Sequence, residues 1–186
     1  MKMHNTPQRD TPIYVTAAGL HKLQQHLVDK QAEYAQVREH RQVAFELSGD
    51  GWHDNPEFNR MQQLEASLNH TVKQLTEQLD RVCLISIDDA ARPCHQVGIG
   101  SIVSLRRWAH DSDSASDECW EIVGYDETNL PQQQLAYNAP LAMAVLGLRV
   151  GDVAEDLVIG TRHWDIEVVA LHANRQHASL VLLHAV

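Results

Sequence analysis

The sequence predicts an α+β protein: an N-terminal antiparallel helical hairpin followed by a small β-sheet domain with one short helix. Three observations carry this. Between Thr16 and about Leu47 there is no Pro, and the only Gly, Gly19, stands near the start. A second helix-forming run extends from about Pro56 to Val82. After Ile87 the pattern changes to short β-type runs separated by turn residues.

Residues 1–13 are polar, hold Pro7 and Pro12, and read as a loose leader. Thr16 is the expected cap of the first helix. Leu20, Leu27 and Tyr34 repeat by seven, with Leu23, Val37 and Ala44 on companion positions. This is a heptad-like seam interrupted by Lys30 and Arg41. Met61, Leu68, Leu75 and Val82 repeat by seven in the second helix, and Leu64, Val72 and Leu79 widen that stripe. Each seam needs an apolar partner and the other helix is the nearest, so residues 14–87 form a hairpin with its tip at 48–57. A helix of about 32 residues spans about 48 Å.

Residues 88–96, with Arg92-Pro93, read as a linker, and 97–186 as the second domain. "VGIGSIVSL" (97–105) is the first expected strand, followed by the Ser/Asp-rich loop "AHDSDSASDE" and the strand "CWEIVGY" (119–125). "LAMAVLGL" (141–148) is a short helix that starts after Asn138 and Pro140 and is closed by Gly147. "VAEDLVI", "HWDIEVVAL" and the terminal "ASLVLLHAV" complete five or six strands.

Composition removes several functions. A formal net charge of -10 opposes a protein that coats free nucleic acid by neutralising phosphates. Three Cys, with no CxxC, suggest neither a disulfide framework nor a zinc site. No signal peptide or long apolar run is present, so a cytoplasmic location without a membrane role is expected.

The tip, "SGDGWHDNPEF" (48–58), is richer than a turn requires. Gly49 and Gly51 permit a tight reversal. Asn55 caps the second helix and Pro56 fits its first position. Asp54 and Glu57 have the D-x-x-E spacing of a capping box. Asp50, Trp52 and His53 are left without a structural reason. Two carboxylates at the end of an arm suit a Mg²⁺ held mostly by another molecule, because this ion keeps waters and often takes only one or two carboxylates.

Three segments resemble the GreA/GreB transcript-cleavage factors. "GD" at 49–50 followed by "DNPEF" at 54–58 resembles their tip pattern G-D-x-x-E-N-A-E/D-Y. "TAAGLHKLQQHL" (16–27) is similar to the opening of their first helix. "NAPLAMAVLGLRVGD" (138–152) is similar to the signature of their carboxyl domain. The resemblance covers most of residues 14–171 and implies a coiled-coil hairpin with an FKBP-like domain. It implies RNA polymerase as partner, with the nascent RNA 3′ end and DNA met only inside that complex, and a monomeric factor. It also implies that Asp50 and Asp54 assist catalysis by holding the polymerase's second Mg²⁺, no cofactor being bound tightly by the factor itself. The remaining tip contacts would be Trp52, His53, Asn55, Glu57 and Phe58, and docking would use Leu141, Met143 and Leu146. The polymerase, not this chain, would cut the backtracked RNA. Here the acids are four apart where the family has three, which implies one inserted residue. The alternative is a regulator that occupies the same channel without promoting cleavage. The acidic segment 110–118 and the strand after Leu171 lie outside the family pattern.

Overall fold

The computed structural model describes residues 11–174 except 89, 112 and 113; the side chains of Asp50, Trp52 and His53 also lie outside the described set. The terminal run "ASLVLLHAV" is therefore beyond the described residues. The elements are β1 (Ile13–Val15), α1 (Ala17–Ser48), a 3-10 turn (Gly49–Asp54), α2 (Pro56–Leu79), β2 (Val82–Leu84), β3 (Ile102–Ala109), β4 (Ala115–Val123), a second 3-10 turn (Leu130–Gln132), β5 (Gln134–Ala136), α3 (Pro140–Val145), β6 (Val153–Ile159) and β7 (Arg162–His172). They divide into two compact units, one holding Leu20–Cys83 with residues 11–13, the other Tyr14–Gly19 and residues 84 onward.

In the first unit α1 and α2 pack antiparallel along a narrow seam. Val37, Met61 and Leu68 form its buried cluster, with Tyr34 against them. Apart from Gly19 and Glu33, the positions of α1 that are not exposed step by three and four through 20, 23, 27, 30, 34, 37, 41, 44 and 48. This is the heptad expected of a coiled coil, and it includes Lys30 and Arg41. On α2 the corresponding position is Glu65, not the expected Leu64, which is exposed. Arg41 Nε lies 2.9 Å from Glu65 Oε2, and Arg38 Nε 3.7 Å from Oε1, so a charge pair fills this layer of the seam. Elsewhere on the hairpin Lys30 pairs with Glu33 and Arg60 with Glu57.

Two boundaries differ from expectation. The chain leaves α2 at Leu79, and residues 82–84 form β2, which pairs with β1 in a two-stranded sheet. Ile13 and Val15 are buried, so the leader ends in a strand. Three-residue strands are too short to show alternation, and the heptad repeat through Val82 masked the second one.

The second unit is a five-stranded sheet in the order β5-β4-β3-β7-β6, antiparallel except for the parallel β4–β5 pair. Its core gathers Val103, Leu105, Ile122, Ile166 and Val168 from the sheet with Val97 from the segment before β3 and Ala142 and Val145 from α3. β4 begins at Ala115, inside the expected loop. The expected linker is stitched to this unit. Arg92 and Glu121 form a buried ion pair at 2.9 Å, Arg92 also donates to the Gly100 carbonyl at 2.7 Å, and Gln134 donates to the second oxygen of Glu121 at 2.8 Å. Both buried charges are thus hydrogen-bonded as well as paired, the condition under which such a pair is tolerated.

The two quoted motifs outside the tip have structural causes. Thr16 caps α1, its hydroxyl accepting from the Gly19 N–H at 3.1 Å. Glu127 accepts from both the Thr16 N–H (2.7 Å) and hydroxyl (2.8 Å). A Cβ on Gly19 would stand 2.0 Å from that carboxylate, so only Gly leaves room for it. In the 138–152 segment, Asn138 exchanges two hydrogen bonds with Asp126, and Pro140 opens α3. Gly147 and Gly151 adopt φ of 83° and 91°, where a side chain is strained.

Candidate functional site: the hairpin tip

The tip is built by Asn55. With φ -80° and ψ 110° it stands outside α2, and its Oδ1 accepts from the N–H groups of Glu57 (2.9 Å) and Phe58 (3.4 Å). Pro56 fills the first helical position, where no donor is missed. The same side chain reaches across the turn. Its Nδ2 donates to the Ser48 hydroxyl and, at 3.3 Å, to the Ala44 carbonyl. Ser48 itself donates to the Ala44 carbonyl at 2.6 Å. One amide therefore satisfies groups at the end of α1 and the beginning of α2, the places where helices leave backbone groups unpaired. It locks the two helices into register at the turn.

Beneath this clasp Phe58 is buried, its ring 6.0 Å from that of Phe45. The Arg41 guanidinium stands 6.0 Å from the Phe58 centroid, on the edge of cation–π range. Phe58 is thus the floor of the tip. Glu57 does not complete a capping box with Asp54. It faces Arg60 with oxygen–nitrogen distances of 2.9 and 3.1 Å. The Arg60 hydrogen bond holds the Glu57 carboxyl below its ordinary range, aided by the Arg60 and His40 charges. Because Asn55 takes the cap position, Asp54 is displaced into the turn.

Within the 3-10 turn, Gly49 has φ 53°, the left-handed region that ends α1. A Cβ on Gly49 or Gly51 would meet nothing within 4 Å. Asp54 is exposed and, among the described residues, makes no hydrogen bond or ion pair. Asp50, Trp52 and His53 are placed on this turn by their backbone alone. A 3-10 helix has about three residues per turn, so positions 50 and 54 differ by about a third of a turn, whereas positions three apart eclipse. Close by, α1 exposes Val43 and Leu47, which with His40, Ala44, Asn55 and Glu57 line a shallow groove of about 290 Å³. The sequence reading missed these two because both lie off the heptad.

The expected docking residues separate on α3. Leu141 is buried in the sheet core and Leu146 is half-buried, while Met143 is 61% exposed. The i, i+2 spacing turns Met143 away from the face that Leu141 and Val145 share. Leu141 therefore serves packing, and Met143 is the surface residue of the three.

Residues 92–172 match the family described as transcription elongation factor, GreA/GreB, C-term. Transcription elongation factor GreA of Chloroflexus aggregans is 32% identical over 144 residues, which cover 76% of this chain and 85% of that protein. GreA of Nautilia profundicola is 27% identical over 173 residues, 90% of this chain and 95% of that protein. Among solved structures, the GreA factor homolog 1 (Gfh1) protein of Thermus thermophilus is 24% identical, with a TM-score of 0.39 over 87% of this chain and 99% of that one.

Proposed function

The chain belongs to the GreA/GreB family, and from that membership and the tip geometry we propose that it is a transcription elongation factor acting on RNA polymerase. It enters the polymerase secondary channel hairpin-first and stimulates cleavage of backtracked nascent RNA. The chain is not itself the nuclease; it completes the polymerase's own active site. Asp54 and Asp50 supply carboxylate oxygens toward the second Mg²⁺ there. Their chemistry fits, since Mg²⁺ takes hard oxygen ligands and few carboxylates. Bound in this way the ion would polarise the scissile phosphate and a water. The work of this chain is to present the oxygens: Asn55 clasps the turn, Phe58 supports it, and Glu57 is occupied by Arg60 and does not compete. Val43, Leu47 and Met143 offer apolar contact to the polymerase.

One observation carries this reading: an exposed, unengaged Asp54 on a turn whose two flanking helices are tied together. It is tested with backtracked polymerase complexes. Wild-type protein should accelerate release of the 3′ RNA fragment. Asp54→Ala and Asp50→Ala should lose about a hundredfold of that rate while still competing with wild type for the channel. If wild type accelerates nothing, the cleavage reading fails.

The four-residue spacing of the acids favours a second reading. Positions a third of a turn apart do not present two carboxylates side by side as eclipsed positions would. On this reading the protein binds the channel and modulates or inhibits the polymerase without stimulating cleavage. Deleting Gly51 separates the two: restored three-residue spacing should create cleavage where wild type has none.

A further inference from the structure

A second cluster of chemistry lies far from the tip in sequence and belongs wholly to the five-stranded sheet. His110 follows the end of β3, Asp156 stands in β6, and His163 and Asp165 stand in β7. One potential ligand atom from each of His110, Asp156 and His163 lies within 4.8 Å of the others. The rings of His110 and His163 have centroids 5.9 Å apart and planes inclined by 26°. His163 Nδ1 is hydrogen-bonded to Asp156 Oδ1, and His110 Nε2 to Asp165 Oδ1 at 2.8 Å.

The backbone is shaped to make this cluster. The β6–β7 register slips by one residue between Ala154 and Leu157. Asp156 sits in that bulge with φ 57°, outside the ordinary strand region. Bulges re-aim side chains, and Asp is among the few residues that tolerate this conformation. The bulge is pinned from β7, where Asp165 Oδ1 accepts the Asp156 N–H at 2.9 Å. On the other side the His110 N–H donates to the His163 carbonyl at 3.1 Å, fixing the two histidines as backbone neighbours. Asp165 thus holds both the His110 ring and the Asp156 backbone. A carboxylate behind a ligand histidine is the usual support of a metal-bound imidazole.

We propose that His110, Asp156 and His163 form a binding site for a divalent ion of the zinc class, with Asp165 as its positioning residue and water completing the coordination. Two imidazoles and one carboxylate suit zinc, which is bound by nitrogen and oxygen at about 2.0–2.2 Å in tetrahedral geometry. Mg²⁺ requires an oxygen shell and is excluded by the same donor set. Ligands at tetrahedral zinc stand about 3.4 Å apart. The residues are exposed, so side-chain rotation can close the remaining distance. Two carboxylates around two neutral imidazoles offset the charge of one divalent ion. The site would clamp the end of β3, the β6 bulge and β7 at the edge of the sheet. It is independent of the proposed polymerase role.

The test is calorimetric titration of the tag-free full chain with zinc chloride and, separately, magnesium chloride. Zinc should bind at one equivalent and raise the melting temperature, and magnesium at equal concentration should do neither. His110→Ala and His163→Gln should each weaken zinc binding at least tenfold, and Asp165→Asn about tenfold. Each variant should keep the metal-free melting temperature and circular dichroism of wild type, which separates lost ligation from lost folding. A cobalt-substituted wild-type protein should show the visible absorption of a four-coordinate ion, and His163→Gln should not. Absence of zinc binding overturns the proposal. So does zinc binding that persists undiminished in both histidine variants, since the other histidines would then be the ligands.

Discussion

The hairpin and the sheet unit hold themselves together in opposite ways. The sheet unit buries a contiguous cluster, with Val103, Leu105, Ile122, Val145, Ile166 and Val168 fully enclosed. The hairpin has a narrow seam in which one layer is the Arg38–Arg41–Glu65 charge group and the buried apolar cluster is Val37, Met61 and Leu68. A two-helix seam is one stripe wide and leaves most of each helix in water, whereas a sheet covered by a helix encloses residues on all sides. The lesson is that stability and chemistry are separated. The wide core carries no tip residue; the thin seam carries the tip and depends on a few local clasps.

Core truncation tests this comparison most severely. Ile166→Ala should destabilise the sheet unit by about 4–5 kcal/mol, toward the high end of the range of about 2–5 kcal/mol for deleting a buried aliphatic side chain. Amide exchange should accelerate in β3 and β7 by the corresponding factor. The equivalent change in the seam, Met61→Ala, should cost about 2 kcal/mol, toward the low end of that range, because water reaches the site from both flanks. If Met61→Ala proved as damaging as Ile166→Ala, the hairpin would be as thickly cored as the sheet and the contrast would fall.

Asn55→Ala comes next. Loss of a helix cap costs about 1–2 kcal/mol, and here the Ser48 and Ala44 links are lost as well. The stability effect should appear as faster amide exchange confined to residues flanking the turn. In the cleavage assay the same variant should lose activity with binding retained, since the acids keep their identity but not their placement. Asn55→Asp restores the acceptor but not the amide donor, so it should recover the α2 cap and leave the cross-turn link broken.

Legibility followed how locally each feature was encoded. The heptads, the Thr16 cap and the short helix opened by Pro140 were readable, since period and turn chemistry are properties of neighbouring residues. The tip was half readable. Two polar residues, Asp54 and Asn55, stand in sequence as candidate caps, and Pro56 at the first helical position selects Asn55. That choice frees Asp54 and sends Glu57 to Arg60, so the expected capping box does not form. Glu65 in the seam was unreadable because its fitness there depends on two arginines of the other helix. The His110–Asp156–His163 cluster was invisible for a stronger reason. It joins positions 46 and 7 residues apart through strand pairing and a one-residue bulge, neither of which has a signature in sequence spacing. Its one trace was the placement of His110 at the start of the acidic insertion.

The smallest effect concerns the surface of the hairpin alone. Glu57 is held below its ordinary range chiefly by the Arg60 hydrogen bond. Its folded-state value is therefore depressed relative to the unfolded chain, so its stabilisation is present above the unfolded value and disappears as pH falls through the folded one. Acidification should loosen the first turn of α2 over that window and leave the sheet unit untouched by this group. Glu57→Gln should remove the pH dependence together with the Arg60 pair, which a carboxyl-resonance titration and exchange at the Arg60 side chain would follow. The group is fully exposed, so salt should screen the effect as well. An acid response in the first turn of α2 that persists unchanged in Glu57→Gln would mean that another group sets it; β7 has its own source of acid response in Asp165, whose carboxyl is held low by the Asp156 N–H and His110.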